Sequence, residues 1–112
     1  MEPLVVLVKS GPESAAASEA LGLVATLLAE RRAVSIFLVQ DAVLCALVGG
    51  NTEGHRLLRE AASLGATVHC LDEDLAMRGF SREDLIPEAQ PAGYGELVDL
   101  LADGAGRTIG AY

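Results

Sequence analysis

Short, unbroken apolar runs alternate along this chain with longer segments of helical period. Leu4-Val5-Val6-Leu7-Val8 is apolar throughout and stops at Lys9-Ser10-Gly11-Pro12, which predicts a strand buried on both faces followed by a loop. From Glu13 to Glu30, Ala16, Ala20, Val24, Leu27 and Leu28 form one stripe, with Glu13 and Glu19 near the positive end and Arg31-Arg32 at the close. That is a helix pattern. Val34 to Val39 repeats the buried-strand signature, and Gln40-Asp41 ends it, with Asp41 placed to cap the next segment.

Ala42 to Val48 is apolar on every side, so a helix there needs burial all round, and in a small domain the extra face meets another subunit. After Gly49-Gly50-Asn51, Thr52 caps an amphipathic helix that runs to Leu64, with Leu57, Leu58, Ala61 and Leu64 inward and Arg56, Arg59 and Glu60 outward; Gly65 stops it. His55 falls beside those arginines and is expected to be solvated. Thr67 to Leu71 is a third strand, Asp72 opens a short helix to Arg78, and Ser81 starts a capped turn. Ala89 to Ala92 reads as a short edge strand, Glu96 to Ala102 as a helix, and Arg107 to Tyr112 as a last strand at an edge or in a partner. The expected fold is an α/β three-layer α/β/α sandwich with a mostly parallel sheet of four or five strands, formed as one domain over residues 1–112.

Composition narrows the function. A hydrophobic content of 51% with only 4% aromatic residues describes an aliphatic core suited to a covered parallel sheet. The net charge of −8 argues against direct nucleic-acid binding or an anionic membrane surface. No run approaches the roughly 20 apolar residues that cross a bilayer, and no signal-peptide pattern precedes Leu4, so a cytoplasmic protein is expected. Cys45 and Cys70 are then expected as thiols, and with His55 and His69 they match no zinc spacing. Ser10-Gly11-Pro12 is neither a Walker loop nor a dinucleotide fingerprint, so no cofactor is expected.

In an open α/β sheet, ligands lie off the carboxyl ends of the strands. The residues there are Lys9 and Ser10, then Gln40 and Asp41, then Cys70 to Asp72. Cys70 alone among them has nucleophilic potential, and the following helix start, Lys9, Arg78 and a protonated His69 are the groups able to lower its pKa. Asp72, Glu73 and Asp74 push the other way. A reactive thiol and a small buried hydrophobe both fit the spacing. His69, adjacent on the strand, points to the opposite face from Cys70.

Taken together, Lys9-Ser10-Gly11-Pro12, the run Phe37 to Val43, the run Val68 to Gly79 and the tail Tyr94 to Leu100 resemble the DsrE/DsrF/DsrH superfamily of sulfur-relay proteins over nearly the whole chain. Gln40 to Val43, Leu71 to Gly79 and the tail look most like its DsrH, or TusB, branch. The resemblance implies a DsrE-like relay protein in which Cys70, supported by Lys9, Ser10, Gln40, Asp41 and Arg78, accepts persulfide sulfur from a donor protein and hands it to an acceptor, a possible sulfurtransferase. The alternative is a DsrH/TusB-like structural subunit without chemistry, since Leu71-Asp72-Glu73-Asp74 follows that branch. A ligand-binding module of flavodoxin-like shape rests on fold analogy alone. Self-association through the Ala42 to Val48 segment, and sister DsrE-like subunits, are the partners expected.

Overall fold

The computed structural model describes residues 3–103 and 108–111. Its strands are β1 (Leu4–Val8), β2 (Val34–Leu38), β3 (Thr67–Leu71), β4 (Ala89–Ala92) and β5 (Thr108–Ala111). They form one parallel sheet in the order β4-β3-β2-β1-β5. The last strand stands where the sequence expects it; Arg107 and Tyr112, the ends of that expectation, lie outside the described residues.

The helices are α1 (Ala15–Ala29), α2 (Glu53–Ser63), α3 (Asp72–Met77) and α4 (Tyr94–Asp103), with a 3-10 helix over Gln40–Ala46 and a 3-10 turn over Arg82–Asp84. Strands β1 to β4 step across the sheet in one direction, and every crossover among them packs on one face. After β4 the chain travels back past β1, and right-handedness then requires the connecting helix to lie on the other face. There α4 sets Leu97 against Phe37, Leu71 and Ala92. The result is the three-layer α/β/α sandwich, with one thick helical layer and one that holds, among the described residues, a single helix.

The segment expected to be a helix apolar all round is the 3-10 helix instead. With three residues per turn, Ala42 and Cys45 form one ridge and Val43 and Ala46 another, and all four are buried. The third ridge, Asp41 and Leu44, looks outward; Leu47 after it packs against the core, and Val48 is 62% exposed. Packing within the domain, against α2, α3 and the sheet, therefore buries two of the three ridges.

Two of the helix stops use glycine as the sequence suggests, and α1 does not. Gly65 and Gly79 take positive φ after α2 and α3, while Arg31 adopts φ 64 after α1. Its N–H still donates to the Leu28 carbonyl at 2.9 Å and that of Arg32 to Leu27 at 3.0 Å, closing the last turn.

The start of α2 is bound to its surroundings. The Thr52 hydroxyl accepts from the His55 N–H, and Nδ1 of His55 accepts in return from the Thr52 N–H at 3.3 Å. His55 is thus not on a solvated face; it is 7% exposed, on the same helical stripe as Leu58 and Ala62. The Gly54 N–H donates to the Pro12 carbonyl at 3.1 Å, and a Cβ at Gly54 would stand 2.4 Å from that oxygen, so only glycine fits.

Candidate functional site

The carboxyl ends of β1, β2 and β3 share one rim of the sheet. The chain leaves β2 through Gln40, whose φ of 52 is uncommon for a side chain larger than glycine. Its N–H donates to Asp74 Oδ2 at 2.6 Å, a short charge-assisted bond that holds the turn in place. Asp74 is in the first turn of α3, and Arg78 caps the other end of that helix. From there Arg78 reaches back over β2: Nη2 and Nε donate to Asp41 Oδ1 at 2.9 and 3.2 Å. Nη1 donates to the Asp74 carbonyl at 3.0 Å and lies 3.8 Å from Asp74 Oδ1. One guanidinium is therefore shared by two carboxylates. Asp41 does not cap the segment it opens, since the 3-10 helix has no side-chain cap bond.

Cys70 points the other way. It pairs with Leu38 on β2 and Pro91 on β4, and its side chain enters the core on the α1 and α2 face. Its exposure is 0%. Burial pushes the thiol up to about 12, and the neighbouring Cys45 thiol adds to the rise. Cys45 is equally enclosed, and burial lifts it to about 12 against a smaller opposing pull from a backbone hydrogen bond. A thiol with that pKa is thiolate for only about one molecule in 100,000 at neutral pH. The acids Asp72 and Glu73 at the start of α3 are exposed and suit the positive end of the helix.

Of the residues singled out in the sequence, the fold brings Gln40, Asp41 and Arg78 together and keeps the others apart. Lys9 is exposed and Ser10 half-buried after β1, two strand spacings, about 10 Å, across the sheet from β3. Asp74, which joins the two carboxyl ends, is the member the sequence reading missed. Its spacing four residues before Arg78 on a helix is the signal that finds it. On the other sheet face His69 stacks on Phe37 with ring centres 5.6 Å apart, beside a groove of about 300 Å³ walled by Glu96, Asp99, Leu100 and Asp103 of α4. Among the described residues no group of three or more His, Cys, Asp or Glu is arranged to hold a metal ion. Among them, too, no helix is long and apolar enough to cross a membrane.

These features define a class: a parallel α/β protein with sequential crossovers on one sheet face, a charged rim at the strand ends and thiols sunk in its core. The pattern that describes DsrH-like proteins matches residues 13–105, and the chain belongs to that family. Membership links it to sulfur relay. Two solved structures share the fold along its length. The YchN protein from E. coli superposes with a TM-score of 0.85 at 20% identity, covering 100% of both chains. A protein of unknown function, MTH1491 from Methanobacterium thermoautotrophicum, does so with a TM-score of 0.73 at 16% identity, covering 99% of this chain and 98% of its own. No curated protein matches in sequence.

Proposed function

We propose that the chain is a non-catalytic, DsrH-like structural subunit of a cytoplasmic sulfur-transfer complex, in which sister DsrE-like subunits supply the reactive cysteine. The observation that carries this reading is the state of Cys70, at 0% exposure and with its thiol pushed up to about 12. Sulfur relay needs a thiolate that reaches a donor's outer sulfur, and a thiol in that position offers neither charge nor access. The cation expected to activate it, Arg78, is engaged by Asp41 and Asp74. The outward positions of Asp41, Leu44 and Val48 support the Ala42 to Val48 segment as a surface for association.

The test is to incubate the folded chain with a small persulfide donor and measure its intact mass. A structural subunit keeps its mass in the native state and gains about 32 Da per sulfur atom only after denaturation. A native adduct that peptide mapping places on Cys70 overturns the reading in favour of sulfur transfer by this chain.

A further inference from the structure

The sulfur-relay reading leaves one buried ionisable group unexplained. We propose that His55 is a pH-sensitive latch: as a neutral ring it ties the start of α2 to the preceding turn, and its protonation frees the Thr52 N–H and loosens that cap.

The geometry fixes the tautomer. The Thr52 N–H can only donate, and it points at Nδ1 of His55 from 3.3 Å. Nδ1 must therefore carry a lone pair, which places the ring proton on Nε2. The Thr52 hydroxyl stands 2.7 Å from the same Nδ1 and also reaches the Pro12 carbonyl at 3.2 Å, so one threonine links the ring to the loop before α1. The ring lies flat against the turn: a Cβ on Gly50 would fall 2.0 Å from it. A second proton on Nδ1 sets donor against donor at the Thr52 N–H and removes that half of the reciprocal cap, while Nδ1 turns to donate to the Thr52 hydroxyl oxygen. The turn keeps the bond from Arg59 Nη1 to the Gly50 carbonyl at 2.8 Å, that from the Val48 N–H to the Asp84 carbonyl at 2.8 Å and that from the Thr52 hydroxyl to the Pro12 carbonyl at 3.2 Å, so the change is confined to the cap.

The surroundings decide at which pH this happens. Burial lowers the pKa of His55 from its ordinary 6.5, and the like charge of Arg59, one turn along α2, lowers it further. The Leu44 carbonyl from the 3-10 helix and the Glu13 carboxylate from the loop before α1 pull it up, and burial outweighs them. The unfolded chain thus binds the proton first. The latch is closed above the ordinary value of 6.5 and is lost as pH falls through the lower folded one.

The experiment follows the full chain by NMR from pH 7.5 to 4.5, with His55→Gln as the comparison, because glutamine completes the same cap without titrating. The His55 ring resonance is expected to titrate below 6.5. Protection of the Thr52 amide from hydrogen exchange, normalised for intrinsic rate, should fall across that midpoint by up to about tenfold for each pH unit separating the folded and unfolded values. In His55→Gln it should stay flat. A ring midpoint at or above the ordinary value, or an equal loss of protection in the variant, overturns the proposal. Should the variant fail to fold, the midpoint in the natural chain decides alone.

Discussion

Cys70 is the last residue but one of β3, and Arg78 closes the short helix that follows, yet the two lie in opposite environments. The thiol faces a core of aliphatic side chains and is 0% exposed. The guanidinium faces the rim, where its side chain is 26% exposed and that of Asp41 is 66% exposed. One segment thus builds a dry site, where any charge is costly, and a wet one, where charges pair at little cost. Closeness along the chain does not make a thiol and a cation partners. What decides is which face of the strand the thiol takes and which residues stand nearer the cation.

The contrast can be broken most forcefully from the dry side. Cys70→Asp buries an unpaired carboxylate and should remove about 3–5 kcal/mol of stability, read from urea unfolding; a loss near that of Cys70→Ala would mean that water reaches the site. Alkali acts on the same residues more gradually. Unfolded thiols ionise near 9.0 and the folded ones near 12, so the folded chain holds protons that the unfolded chain releases, and stability falls as pH rises between those values. Each thiol should contribute a slope of up to about 1.4 kcal/mol per pH unit, and the Cys45→Ala/Cys70→Ala variant should lose that part of it. On the wet side the effects shrink. Arg78→Ala, which leaves the half-buried Asp74 without its cation, should cost about 1–2 kcal/mol, and Asp41→Asn, at an exposed position, less than about 1 kcal/mol. Equal losses in those two variants would show that Asp74 does not need Arg78.

Three strands were legible because each is a short segment with clear punctuation on either side: Leu4–Val8, Thr67–Leu71 and Ala89–Ala92 have the bounds their residues predict. The opposition of His69 and Cys70 also followed from alternation alone. What alternation leaves open is how thickly each face is covered, and there the asymmetry of the two layers sealed Cys70 while leaving His69 half-buried. The 3-10 helix hid because the unbroken apolar run Ala42 to Ala46 fits any helical period equally well. His55 was misplaced by its charged neighbours, although its spacing to Leu58 and Ala62 marks the inward stripe. Arg78 was recognised as a rim cation, but its partners come from the 3-10 helix after β2 and from α3 at once, and only the sheet register brings those together.

The pairing of β5 with β1 joins Val5 to Thr108 and Val6 to Ile109, whereas every other ladder joins strands consecutive in sequence. Long-range pairings close late, because a long loop must be ordered before any contact rewards it. Until this one closes, Leu4–Val8 borders the sheet as five apolar residues with no charge among them, a template for strands of other molecules. The final strand, once paired, therefore covers an apolar edge that would otherwise stay open to other chains.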